Sequence, residues 1–172
     1  SNIGPERLKK IIQYLSKRDK KVKSVQFQFS LLSPDALKQT NVKKICEDNN
    51  IDFLAYSPLS FGILCIDPEK NEDKQNSFLR SLIFKNYEKS TIKLRRCLKK
   101  IAVSRSVSQA QVAINWCCYQ GTIPIVGMRK KSQVIDISNV FKWNLNKQEF
   151  KMLQQVSKNC SKRMPSNPLT SF

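Results

Sequence analysis

Gln26 carries a carboxamide, Tyr56-Ser57 an aromatic ring beside two hydroxyls, and Gly127-Met128-Arg129-Lys130 an unhindered backbone amide followed by cations. An amide pairs with an amide, a ring stacks on a ring, and backbone N–H groups with cations hold phosphate; together they suit a nucleotide cofactor. Each has a plainer reading: Tyr56 as core, Gln26 as a barrel-interior filler, Gly127 as turn chemistry, and Arg129-Lys130-Lys131 as a solvated patch. Their placement is what they share. Gln26 lies in the first expected strand, Tyr56-Ser57-Pro58-Leu59 where the second ends, and Gly127 where the third ends. In parallel α/β folds, ligand sites form outside the carboxyl ends of strands, so these loops line one mouth.

Other chemistry is excluded by composition. The 172 residues contain no histidine, which removes Ser-His-Asp and Cys-His nucleophiles and HExxH zinc sites. The six cysteines (Cys46, Cys65, Cys97, Cys117, Cys118, Cys160) form no CxxC pair and read as reduced thiols of an intracellular protein, so no metal site is expected. Lys and Arg number 31 against 13 Asp and Glu, a formal charge of +18. Such a balance can mark a nucleic-acid binder. Of the 31, however, 23 are Lys, spread in pairs over nearly every segment, with no stacking aromatics along a basic stripe, so solvated faces are expected and no specific nucleic acid. No apolar run approaches the roughly 18 residues of a membrane span.

The elements that position these residues follow from periodicity. Pro5 at a first helical position, then Leu8, Ile11, Ile12 and Leu15, predict a helix from Pro5 to about Ser16. Val22 to Phe29 alternates, putting Val25, Phe27 and Phe29 on one face and Gln26 and Gln28 on the other. Val42 to Asp48 reads as a short helix, and Ile51 to Tyr56 as a strand buried on both faces. Residues 60–77 read as a long loop. Thr91 to Val103 and Gln109 to Tyr119 read as a helix pair, the second opened by a capping box at Ser108 and Gln111. Ile123 to Val126 is expected as a buried strand, then helical spacing around Val134 to Val140. A last helix is capped by Asn146 and Glu149. Strands alternating with helices imply a parallel sheet with helices on its faces.

The segments also resemble a family. Ser1-Asn2 with Gly4-Pro5-Glu6, Gln26 to Leu32, Ala55 to Gly62, Gln111 to Trp116 and Ile123 to Gly127 are similar, in order, to the C-terminal half of the aldo-keto reductases, with plastid-type members the nearest subgroup. The resemblance implies a partial (β/α)8 TIM barrel, the last three βα units plus C-terminal helices, as one domain over 1–162 and a flexible tail over 163–172. It implies reduction of aldehydes or ketones by hydride from NADPH. By resemblance, Ser1 and Asn2 hold the nicotinamide carboxamide with Gln26, and Tyr56 stacks on the ring. Ser57, Leu59 and Gly62 belong to the pyrophosphate loop, while Gly127, Arg129 and Gln133 hold the adenosine end, Arg129 facing the 2'-phosphate. Where the family has a Glu and an Asn on adenine, this chain has Ile135 and Ile137. The family's tetrad of Asp, Tyr, Lys and His belongs to the barrel's first half, so no catalytic residue is expected in these residues.

Three consequences are expected. The chain holds cofactor while a small-molecule carbonyl is reduced with acid from the other half, in the cytoplasm or a plastid. Alternatively, it is a non-catalytic binding or regulatory module on the same scaffold. Either way, open sheet edges favour self-association of a truncated barrel.

Overall fold

The computed structural model describes residues 1–34, 41–69 and 78–164, and for 78–84 only the backbone path. Among the described residues six helices and three strands follow one another: α1 (Pro5–Ser16), β1 (Ser24–Gln28), α2 (Val42–Asp48), β2 (Asp52–Tyr56), α3 (Phe78–Arg105), α4 (Gln109–Tyr119), β3 (Ile123–Ile125), α5 (Lys131–Ser138) and α6 (Lys147–Lys158). Ser60–Cys65 and Asn139–Lys142 are 3₁₀ turns. The strands pair in parallel in the order β1-β2-β3, with Gln28 beside Tyr56 and Tyr56 beside Ile125. This is part of a β/α barrel wall, with helices on one face of a short parallel sheet.

The core lies between sheet and helices. Val25, Phe27 and Phe29 point there, as the alternation in β1 predicts, and meet Phe53 and Ala55 of β2. Phe27 stacks on Phe53 at 5.2 Å, and Phe29 on Trp116 of α4 at 5.1 Å. Trp116 is fully buried and continues the stack to Phe150 of α6 at 6.3 Å. The helix termini are also chemically set. Asn146 accepts from the Glu149 amide at 2.8 Å, and Glu149 accepts from the Asn146 amide at 2.8 Å, the reciprocal box that the sequence predicts.

Several expectations are corrected. β2 is buried on one face only: Asp52, Leu54 and Tyr56, on the face turned from the helices, are half-buried, and among the described residues no further strand covers them. β3 is likewise exposed: Ile123 is 50% and Ile125 43% accessible. At the start of α4, Ser108 does cap the Gln111 amide at 3.1 Å, but the Gln111 side chain leaves the box for partners on the segment after β3. The long loop is partly structured, since Ser60, Ile63 and Leu64 are buried in the 3₁₀ turn, and α3 runs from Phe78 well before Thr91. Residues 70–77 of that loop lie outside the described residues. At the C-terminus, Met164 is buried and donates its amide to the Leu32 carbonyl at 2.9 Å. The rest of the expected tail, 165–172, lies outside the described residues. Among the described residues no helix is long and apolar enough to cross a membrane.

Candidate functional site

Parallel pairing puts the carboxyl ends of β1, β2 and β3 on one side. The N-terminal residues join them: the Asn2 amide donates to the Gln26 carbonyl at 2.8 Å, so the chain start runs beside β1 before α1 begins. Asn2 sits at φ +51°, a left-handed conformation that asparagine tolerates well. Its carboxamide then reaches across the sheet end. The Tyr56 hydroxyl donates to Asn2 Oδ1 at 3.1 Å, and the Tyr56 ring is half-buried on the face turned from the helices. Gln26, on that same face, is exposed, as is Ser1. Gln28, one step along, is instead buried, and it donates to Ser33 Oγ at 3.2 Å beneath the turn that follows β1.

After β2 the backbone is strained. Ser57 (φ 52°), Ser60 (φ 49°), Phe61 (φ 58°) and Gly62 (φ 94°) all adopt left-handed conformations, and only the last is a glycine. The three non-glycine residues cost on the order of 1–3 kcal/mol each, and persist where surrounding contacts fix them. The contact here is the buried pair Ser60 Oγ and Ser30 Oγ at 2.8 Å, which ties this turn to the one after β1. Ser30 Oγ also accepts the Leu32 and Ser33 amides. Neither serine stands out by spacing, so sequence reasoning missed the pair; both lie inside the segments carrying the family resemblance. Leu59 is half-buried against the core, and Ser57 is half-buried.

Gly127 follows β3 by two residues, close to the β3 partner of Tyr56. A Cβ there would meet nothing within 4 Å, and its φ lies outside the left-handed range. Neither turn nor packing requires glycine at this position, and Gly127 is exposed. Beyond it, Gln133 Oε1 accepts the amides of Arg129 at 2.8 Å and Lys130 at 3.1 Å. Gln133 thus shapes the loop that carries the exposed Arg129. Ile135, at one of the expected adenine positions, is 57% exposed, and Ile137 is half-buried.

The perturbed acids lie elsewhere. Burial, and then the neighbouring Glu47, pushes the Cys46 thiol up to about 11. Burial raises the Cys117 thiol as well, and Cys118 adds to it. Tyr87, raised by burial, donates to the Arg163 carbonyl at 3.0 Å, away from the strand ends. Tyr14 is exposed on α1 under the Arg18 guanidinium. Among the described residues no group of three or more Cys, Asp or Glu could hold a metal ion.

The structure therefore brings Asn2, Gln26 and Tyr56 together at one mouth, with Ser57 and Gly127 leaving the adjacent strand ends. Arg129 and Gln133 lie on the loop beyond, and Gly62 in the strained turn.

The chain's relatives share this arrangement of strands. Residues 1–158 match the aldo/keto reductase family. The chloroplastic pyridoxal reductase of Arabidopsis thaliana is 36% identical over 167 residues, 97% of this chain and 45% of that protein, matching its C-terminal part. Rhazimal reductase 2 of Alstonia scholaris is 28% identical over 120 residues, 69% of this chain and 30% of that protein. The chain thus spans less than half the length of these relatives. Among solved structures, a glycerol dehydrogenase from Gluconobacter oxydans superposes with a TM-score of 0.73 at 24% identity, covering 97% of this chain and 50% of that one. The likeness in fold and the match along the sequence agree: the chain belongs to the aldo/keto reductase family and forms the carboxyl-terminal part of its β/α barrel.

Proposed function

We propose that this chain is the cofactor-holding side of an NADPH-dependent oxidoreductase acting on aldehydes or ketones. The observation that carries the reading is the Tyr56 hydroxyl bonded to the Asn2 carboxamide at the strand ends. That bond fixes the phenol as a platform, with Asn2, Ser1 and Gln26 at its rim to meet a carboxamide. Ser57, Leu59 and Gly62 then line the turn for the pyrophosphate, and Gly127, Arg129 and Gln133 the adenosine end. The open space at Gly127 suits a phosphate group approaching the backbone.

When bound, the nicotinamide supplies hydride to a carbonyl carbon. The residues here bind and orient; they do not supply the proton. A positioned acid typically contributes 10²- to 10⁴-fold, and the Tyr56 hydroxyl is already committed to Asn2. The acid therefore comes from outside these residues, from the remainder of a complete barrel. The chloroplastic relative supports a plastid setting.

A second reading, a binding or regulatory module without catalysis, is favoured by one observation. Ile135 and Ile137 stand where polar adenine contacts are expected, which weakens the grip on the dinucleotide. NADPH titration followed by quenching of protein fluorescence decides. The cofactor reading expects saturable binding that Tyr56→Ala weakens about tenfold or more, as for loss of a stacked ring. Unchanged affinity in that variant removes the stacking role, and absence of binding in the unaltered chain overturns the reading.

A further inference from the structure

Cations that lie apart in the sequence fall on one line once α3 forms. Lys85, Lys89, Lys93, Arg96 and Lys100 follow at spacings of four, four, three and four residues, and all five are exposed. Residues three and four apart are neighbours on a helix surface, so the five make a single row. At about 1.5 Å per residue the row is about 22 Å long, in steps of about 4.5–6 Å. Leu94, Leu98, Ile101 and Ala102, on the opposite side of the helix, are buried in the core, which fixes the row on the outer face of α3.

No anion answers this row. Among the described residues none of the five belongs to an ion pair. Glu88, the one carboxylate between 85 and 105, lies off the row. On one flank Asp67 and Glu69 are already engaged by Lys99, at 2.9 Å and 2.5 Å. On the other, Lys162 donates to the Asn86 carbonyl at 3.1 Å, which brings a further cation beside the start of the row. Like charges three and four residues apart repel and weaken a helix. An anion that repeats along a line relieves that repulsion at every step.

The shape of the row selects the partner. A lipid surface calls for apolar side chains among the cations, to enter the bilayer. Here Ile92 is half-buried, and Val103 stands past the far end of the row. No aromatic residue lies on the row, so nothing there stacks on bases. We propose that the outer face of α3 binds the phosphate backbone of single-stranded nucleic acid, without regard to base sequence. Each Lys or Arg that meets a phosphate releases a condensed counterion, and that release drives the association. This goes beyond the cofactor reading and uses none of its residues, since Asn2, Gln26, Tyr56 and the loop after β3 belong to other elements.

The test is fluorescence anisotropy of a labelled oligothymidylate with the full chain, over a range of salt concentrations. Five phosphate contacts on a single strand give log K against log salt a slope of about −3.5. Lys85, Lys89, Lys93, Arg96 and Lys100 changed together to Gln should abolish most of the binding and its salt dependence. Lys93→Gln with Arg96→Gln, a milder change, should flatten the slope by about 1.4. A control with Lys10, Lys17, Lys21, Lys44 and Lys142 changed to Gln loses the same charge from other exposed positions and should keep the slope. Circular dichroism should show the same helix content in all of them. Equal flattening in the control and in the row variants would assign the binding to diffuse charge and overturn the proposal. An unaltered chain that leaves the oligonucleotide free at low salt overturns it as well. So does row-dependent binding to phosphatidylserine vesicles that the oligonucleotide fails to displace, which would give the row to a membrane.

Discussion

Tyr56 and Asn2 lie 54 residues apart, and the phenol hydroxyl of the first donates to the carboxamide oxygen of the second over 3.1 Å. The bond joins the end of β2 to the chain segment preceding α1, over the top of β1. It makes the two residues one unit. Tyr56→Phe keeps the ring and releases the carboxamide, so NADPH affinity should fall by less than in Tyr56→Ala, about threefold, as for loss of one hydrogen bond. Asn2→Ala should weaken it by a similar factor, and the double variant should be no worse than the worse single one. Fluorescence titration of the four proteins measures this coupling, and strictly additive losses would show the residues act independently.

The Arg105–Glu149 pair governs behaviour in acid. Arg105 donates to both carboxylate oxygens, at 2.8 Å and 2.9 Å, and these bonds, with the Asn146 amide, hold the Glu149 carboxyl below its ordinary value of 4.5. A depressed value in the folded state means that the contribution is fully present above 4.5. It is lost as pH falls through the lower folded value. The melting temperature should therefore drop as pH is lowered below 4.5. Glu149→Gln should flatten part of that drop. At neutral pH, Asn146→Ala should cost about 1 kcal/mol by opening the other half of the cap. Thermal unfolding followed by circular dichroism between pH 6 and pH 3 tests both.

Trp116 is the hinge of the core stack between Phe29 and Phe150. Trp116→Ala should cost about 3–5 kcal/mol, a large share of the 5–15 kcal/mol typical of a domain. Trp116→Phe should cost clearly less. It keeps a ring against Phe29, and the indole N–H it removes has no hydrogen-bond partner among the described residues. Urea denaturation midpoints rank the two, and equal losses would argue against the stack.

The sheet face turned from the helices carries Leu54, Ile123 and Ile125 in register, and both isoleucines are exposed. An uncovered apolar sheet face with open edges invites pairing with another chain. The 172-residue chain by itself should therefore self-associate at micromolar concentration. Replacing Ile123 and Ile125 by Lys should shift it toward monomer. Sedimentation velocity reads this directly; a monodisperse unaltered monomer would contradict it.

Features that depend on a few neighbouring residues are legible in the amino-acid order. Period 3.6 and Pro5 located α1 at its observed bounds, Val42 to Asp48 emerged as a helix, and alternation assigned Val25, Phe27 and Phe29 to the core. Asn146 and Glu149 announced their cap because both partners lie within one turn. The ordered segments similar to the aldo-keto reductases identified the family. Tertiary structure decided everything that depends on which surfaces meet. Ile123 and Ile125 belong to an apolar run that looks buried, yet both are exposed, because among the described residues no strand covers that face, which no run of residues encodes. Gln111 has the spacing of a cap but bonds to Asp136 and Trp143, because a charged acceptor and an indole donor brought close by folding outcompete a local amide. The same holds for Ser30 with Ser60 and for Asn2 with Tyr56. Helical and strand preferences act over a few residues, whereas these partners are chosen by sheet register and by where the chain returns.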